Sequence, residues 1–291
     1  MRRREFVAGA AATLLLPTWL EALGSAALAA PADPLAAIAE ATGGRLGVSV
    51  LDTGTGRRLW LDPLSRYPFC STFKVPLAGA ILARVDRGEL DLQRPIRFSE
   101  GDLLEYAPEV RKNLSRGQMT IAELCAAAIE WSDNAAANLL LPQLAGPSGL
   151  TRFMRSSGDS ISRLDRVEPE LNDYKPGELR DTTTPMAMTT LMAALLTGDV
   201  LQPASRKQLA DWMIGSRTGD KRLRAGLPRG WRVGDKTGTS GKGQANDVAI
   251  AWPPNRKPIL IACYLDAPGI APDKADQAIA SVGALVGQLF G

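Results

Sequence analysis

The rhythm of hydrophobic and polar positions changes twice along the chain. Residues 33–41 read as the start of a surface helix. Arg45 to Leu51 (RLGVSVL) alternates and is rich in Val and Leu, which predicts a strand. Asp52-Thr53-Gly54-Thr55-Gly56 is turn chemistry, and Arg57 to Leu61 returns as the second strand of a hairpin. From about Ser71 to Ala210 the period becomes helical. Leu77, Ile81, Leu82 and Val85 share one face, as do Ile121, Leu124, Ala128 and Ile129. Thr120 followed by Glu123 predicts a capping box at the start of the second of these helices. Residues 163–184 lose all periodicity and carry Pro169, Pro176 and Gly177, which makes them a long loop, and long ordered loops are often functional. After Trp212 the strand rhythm returns at Trp231 to Gly238, Asp247 to Trp252 and Pro258 to Leu265. A last helix covers roughly Ala271 to Leu289.

Strands at both ends around a helical middle predict an α+β fold: one antiparallel five-stranded sheet built from both termini and flanked by helices, with an all-α lobe inserted. The predicted boundaries are 30–65 with 213–291 for the sheet lobe and 66–212 for the helical lobe. Residues 1–29 form a leader. It starts Arg2-Arg3-Arg4-Glu5-Phe6, continues apolar through Leu16, and offers Ala27-Leu28-Ala29 as a cleavage site, the layout of an export signal. The arginines followed by Phe6 are similar to a twin-arginine signal, which exports folded proteins to the periplasm or beyond. A membrane anchor fits less well, because Pro17 and Glu21 interrupt a run already short of the roughly 20 apolar residues a span needs. No second long apolar stretch follows, so no stable membrane association is expected after cleavage.

Composition narrows the chemistry. The chain of 291 residues has a formal net charge of only +3, which is no footprint for nucleic acid. It contains no histidine, which removes Ser-His-Asp triads, Cys-His dyads and histidine metal sites together. Cys70, Cys125 and Cys263 are too few for a thiolate zinc site or a disulfide scaffold. If the protein is a hydrolase, Lys, Glu, Asp or Tyr must move its protons.

Ser71-Thr72-Phe73-Lys74 supplies such a pair. Residues three apart on a helix face the same way, so the Lys74 amine can sit beside the Ser71 hydroxyl and take its proton if its pKa is lowered. Taken alone, S-x-x-K is more simply an ordinary helix start. Ser132-Asp133-Asn134 alone is a helix cap, and Lys236-Thr237-Gly238 alone is a strand running into a turn. The three together, in this order and in the predicted elements, are not explained that way.

This set resembles that of the penicillin-recognising serine enzymes, and over residues 33–291 the chain resembles a class A β-lactamase. Glu168-Pro169-Glu170-Leu171-Asn172 matches the E-x-x-L-N of that family's omega loop, and Asp181-Thr182-Thr183-Thr184-Pro185 matches its exit. The resemblance implies that Arg166 pairs with Asp181 across the loop neck. It implies an acyl-enzyme on Ser71, with Lys74 or Glu168 (through a water) as acylation base, and an oxyanion hole of the Ser71 and Thr239 N–H groups. Ser132 relays a proton to the leaving nitrogen beside Lys236. Glu168 and Asn172 hold the deacylating water, and Asn134 contacts the substrate's side-chain amide. The substrate carboxylate is expected at Lys236, Thr237 and Thr239. Gly243 to Asp247 lacks the arginine many members carry there, and Arg222 matches the position of a substitute. Tyr106 is expected to wall the site. The cysteine that some carbapenem-hydrolysing relatives pair with a Cys70 equivalent is Ser240 here, and Ala78 leaves Cys125 unpaired, so three reduced thiols are expected. No cofactor is implied. The expected substrates are penicillins and cephalosporins, and a monomer is expected. The rival readings are a penicillin-binding D,D-peptidase and a non-hydrolytic β-lactam or peptidoglycan sensor.

Overall fold

The computed structural model describes residues 33–291; the expected export leader and cleavage site lie outside the described residues. The N-terminal part runs α1 (Pro34–Thr42), β1 (Arg45–Asp52), β2 (Arg58–Leu61), β3 (Tyr67–Pro68), α2 (Lys74–Asp86) and β4 (Pro95–Arg97). Next come α3 (Pro108–Lys112), β5 (Gln118–Thr120), α4 (Ile121–Glu130), α5 (Asn134–Leu140), α6 (Gly146–Ser156), β6 (Thr182–Thr183), α7 (Pro185–Leu196) and α8 (Pro203–Ile214). The chain ends with α9 (Leu223–Gly226), β7 (Arg232–Thr239), β8 (Gln244–Trp252), β9 (Ile259–Asp266) and α10 (Pro272–Phe290).

Local chemistry sets these boundaries. Asp33 caps α1 by accepting from the Leu35 N–H, with Pro34 at the first helical position and Gly43 closing the helix at φ 65°. The Asp52 carboxylate builds the predicted turn, accepting from the Gly54 N–H at 2.8 Å and the Thr55 hydroxyl at 2.8 Å. Thr120 and Glu123 form the expected capping box of α4.

The main sheet has the order β2-β1-β9-β8-β7, antiparallel throughout. Two strands from the N-terminal part and three from the C-terminal part make it, as the strand rhythm predicts. Both faces are covered. Val48, Val50, Ile261 and Cys263 pack with Leu35 of α1 and Ile279, Val282 and Val286 of α10. Val248, Leu260, Ala262 and Tyr264 share a core with the helices inserted between β2 and β7. Helix α2 crosses that second core and is buried from Lys74 to Ala83. At Gly79 a Cβ would meet Leu195 Cδ1 at 2.9 Å, so the glycine lets α2 and α7 close up. The amine of Lys74 is thereby carried into the interior.

Candidate active site

Ser71 stands on a tethered turn. The two-residue strands β3 and β6 pair, the Phe69 N–H donates to the Asp181 carbonyl at 2.9 Å, and the Asn246 amide on β8 donates to the Pro68 carbonyl at 2.9 Å. Cys70 then adopts φ 43°, a left-handed conformation uncommon outside glycine, and a 3-10 turn over Cys70–Phe73 delivers Ser71 to the head of α2. Strand β7 comes close here. A Cβ on Gly238 would meet the Phe69 carbonyl oxygen at 3.0 Å and the Ser71 nitrogen at 3.2 Å.

The serine–lysine pair of the sequence is in contact. Lys74 Nζ donates to Ser71 Oγ at 3.0 Å, to the Ser132 carbonyl at 2.8 Å and to Asn134 Oδ1 at 2.5 Å, and lies 3.2 Å from Glu168 Oε1. Burial pushes the Lys74 ammonium below the usual lysine range, and Glu168 partly opposes this. Lys236, also fully buried, donates to Ser132 Oγ at 2.9 Å and to the Thr237 carbonyl at 2.7 Å. Burial holds it well below the lysine range, and the charge of Lys74 adds to the effect. Two desolvated amines thus flank Ser132, each losing its proton more readily than an exposed lysine.

In Ser132-Asp133-Asn134 the helix-cap reading is met at Asp133. Asp133 caps α5 by accepting from the Ala136 N–H at 2.9 Å, and its second oxygen accepts from the Glu109 and Val110 N–H groups. With that residue locked, Ser132 (φ 59°) and Asn134 face the lysines.

The long loop brings in the carboxylate. Its neck is the expected pair, Arg166 Nε to Asp181 Oδ2 at 2.5 Å, and Asp181 Oδ1 also accepts from the Asp165 and Arg166 N–H groups. Glu168 Oε1 lies 3.4 Å from Ser71 Oγ, and Glu168 Oε2 accepts from the Asn172 amide at 2.7 Å. Asn138 grips the Glu168 backbone at both ends. It accepts from the Glu168 N–H at 3.0 Å and donates to the Glu168 carbonyl at 2.8 Å. Sequence reasoning missed Asn138. The available signal was its position four residues after Asn134 on one helix face. Because Asp181 is buried, Asp181→Ala is expected to lower stability by about 3 kcal/mol, the scale for breaking a buried ion pair. A urea midpoint unchanged from the parent would refute a structural role for the neck.

Across from these groups, β7 presents Thr237 and Thr239. Thr237 Oγ1 is 2.7 Å from Thr218 Oγ1, and Arg222 Nη2 donates to Thr239 Oγ1 at 2.8 Å. Arg222 is more committed than its sequence position suggested. Its Nη1 donates to the carbonyls of Gly238 and Asn246, and its Nε pairs with Asp276 at 2.7 Å. Sequence reasoning missed Thr218 and Asp276; a lone Thr and a helix-surface Asp carry no pattern. Ser71, Ser132, Asn134, Asn172, Thr237, Thr239 and Arg222 line one cleft of about 310 Å³, with half-exposed Tyr106 on its rim. A larger cavity of about 630 Å³ lies between α1 and α10. Its lining is mostly apolar, with Lys274 its one ionisable side chain, so the smaller cleft is where chemistry can occur.

Cys70, Cys125 and Cys263 are buried and free, and burial raises the Cys70 thiol to about 12, so it stays protonated. Among the described residues no cluster of Cys, Asp or Glu could hold a metal ion. The arrangement is suited to acyl transfer. It has a hydroxyl with two bases in reach, a second hydroxyl against a buried amine, and a carboxylate beside an amide.

Comparison with known proteins agrees with that chemistry. Residues 30–290 match the model of the β-lactamase enzyme family. The chain is 43% identical to β-lactamase L2 of Stenotrophomonas maltophilia over 305 residues, covering 100% of both. It is 47% identical to the carbapenem-hydrolysing β-lactamase KPC of Klebsiella oxytoca, over 87% of this chain and 86% of that one. A β-lactamase from Xanthomonas campestris pv. campestris superposes with a TM-score of 0.87 at 50% identity, covering 89% of this chain and 96% of its own. The reconstructed class A β-lactamase of the last common ancestor of Gram-negative bacteria gives 0.86 at 57% identity, over 88% and 98%.

Proposed function

The chain belongs to the class A β-lactamase family, and we propose that it opens the amide bond of penicillins and cephalosporins through an acyl-enzyme on Ser71. Ser71 Oγ attacks the lactam carbonyl while its proton passes to Lys74, 3.0 Å away. The N–H groups of Ser71 and Thr239 receive the developing oxyanion. Ser132 protonates the leaving nitrogen, and Lys236 at 2.9 Å biases that hydroxyl. Lys236, Thr237, Thr239 and Arg222 take the substrate carboxylate, and Asn134 takes the side-chain amide. Glu168 and Asn172 then align a water on the ester, and the ring-opened acid leaves.

One observation carries this reading: the Glu168 carboxylate, held by Asn172 on a backbone that Asn138 grips, sits 3.4 Å from Ser71 Oγ. A stable ester needs an aligned base before water attacks it quickly. A D,D-peptidase or a sensor domain with the same three motifs lacks that group and keeps its adduct. The test is intact mass of the mature protein mixed with excess benzylpenicillin, followed from seconds to hours. Ring opening expels no fragment, so the expected adduct on Ser71 equals the whole drug, and it disappears as the drug is consumed. An adduct that outlasts the drug supply would instead support the peptidase or sensor reading.

The same reading extends to the compartment. The basic, apolar and small-residue order of residues 1–29 supports export to the periplasm, and the consecutive arginines support the twin-arginine route. Buried thiols without partners suit a chain that folds before export. The resemblance to class A enzymes supports a monomer. Among the described residues no helix is long and apolar enough to cross a membrane.

A further inference from the structure

A second polar cavity, also of about 310 Å³, shares no lining residue with the catalytic cleft. It lies where Tyr174 to Leu179, the far part of the long loop, meets one end of the main sheet. Arg45 opens β1 there, directly opposite Asp266 at the end of β9, and Arg66 immediately precedes β3.

The charges of this lining do not cancel. Asp266 is engaged on both oxygens, accepting from Arg45 Nη2 at 3.0 Å and from the Gln244 amide at 2.7 Å. Glu178 is engaged on both of its own, by Arg180 at 3.0 Å and 2.6 Å. Half-buried Arg66 has neutral acceptors only. Its Nη1 donates to Thr182 Oγ1 at 2.9 Å and its Nη2 to the Ile161 carbonyl at 3.0 Å, and among the described residues it makes no ion pair. Burial and the charges of Arg163 and Arg155 all disfavour its cationic form, and Asp159 opposes them. An added anion would relieve this strain on the guanidinium.

The cavity wall is already built. The Glu178 N–H donates to the Lys175 carbonyl at 2.9 Å, with Gly177 at φ 82° completing the turn, and Thr182 Oγ1 donates to the Leu179 carbonyl at 2.6 Å. Tyr174, Pro176 and Leu179 give that wall an apolar surface, and Leu179 is 52% exposed.

We propose that this cavity binds a small monocarboxylate with an apolar body, the carboxylate on Arg66 and the body against Tyr174, Pro176 and Leu179. A guanidinium fork matches the two oxygens of a carboxylate. One uncompensated positive charge takes one negative charge. A dianion such as phosphate would bring its second charge toward Asp266 and Glu178. The volume is at the lower end for ligand pockets, which limits the body to about one ring or a short branched chain. The site stands apart from the acyl-enzyme chemistry and does not depend on it.

The probe is phenylacetate, titrated into the protein and followed by backbone amide chemical shifts. Saturation with a Kd of about 1 mM is expected, the scale for so small a ligand. The shifts should centre on Arg66, Tyr174 and Leu179. Neutral phenylacetamide and inorganic phosphate are each expected to bind at least about 10-fold more weakly, and added salt weakens phenylacetate. Arg66→Gln is expected to lose at least about 10-fold in affinity, with Arg66→Lys, which keeps the charge without the fork, in between. Arg66 also holds Thr182 and the Ile161 carbonyl, so its loss can loosen the loop. Leu179→Glu leaves Arg66 in place and is expected to abolish binding, because it tethers a carboxylate at the same cavity; an unchanged melting temperature shows that the fold survives. Shifts confined to Ser132, Asn134 and Thr237 to Thr239 would put the probe in the catalytic cleft and overturn the proposal. So would equal binding of phenylacetamide, or parent affinity in both Arg66→Gln and Leu179→Glu.

Discussion

Glu168→Gln is expected to lower steady-state benzylpenicillin turnover by about 10³-fold while leaving Ser71 fully acylated within seconds. The magnitude is the middle of the range for losing one general base. Glutamine preserves most of the local geometry. Its carbonyl oxygen can still accept from Asn172, which donates to Glu168 Oε2 at 2.7 Å, and its backbone keeps both bonds to Asn138. It cannot take a proton from water, so the ester waits. Acylation has no such need, because Lys74 touches Ser71 directly. Removing the carboxylate also removes the charge 3.2 Å away that opposes the effect of burial on Lys74, so more of that amine is neutral. The diagnostic is a stoichiometric burst followed by a stalled mass adduct. If Glu168→Gln clears penicillin at the parent rate, the carboxylate is not the deacylating base.

The site was more legible in the sequence than the rim around it, and the reason is range. Ser71 and Lys74 are three residues apart, Glu168 and Asn172 four, and Ser132 and Asn134 flank a capping Asp133. Short intervals fix geometry before any tertiary contact exists. The absence of histidine leaves Lys, Glu, Asp or Tyr to move protons, and Lys74, Lys236 and Glu168 are all buried at the site. Long-range pairs left no such trace. Arg222 meets Asp276, and Lys242 meets Asp173, only because the sheet and the loop bring them together. Strand limits failed where polar residues are buried. The rhythm starts the fourth sheet strand at Asp247, yet β8 begins at Gln244, because the amide N–H groups of Gln244 and Asn246 donate to Asp266 and to the Pro68 and Phe69 carbonyls. Helix α2 shows the opposite case. Its large residues trace one face, but every position from Lys74 to Ala83 is buried, and only the small residues on the other faces allow the close packing.

Lys74→Ala is expected to fail one step earlier, with adduct formation on Ser71 slowed by about 10³-fold. The argument is contact and protonation state together. Lys74 is the nearer of the two bases, 3.0 Å from Ser71 Oγ against 3.4 Å for Glu168, and burial shifts it toward the neutral amine that can accept a proton. A guanidinium cannot lose its proton, so Lys74→Arg restores the charge and not the rate, which separates a base from a mere cation. The sign of the pH dependence follows. Neutral Lys74 is the active form, so acylation falls as pH drops through a pKa lying below the usual lysine range. That acid limb survives in Glu168→Gln, where acylation is read as the burst, and disappears in Lys74→Ala. The substitution also leaves the Ser132 carbonyl and Asn134 Oδ1 without a donor and Glu168 without its ion-pair partner, so circular dichroism must first show a folded protein. Folded Lys74→Ala that acylates within tenfold of the parent would move the proton to Glu168 through a water and leave Lys74 the task of holding Asn134 and Ser132 in place.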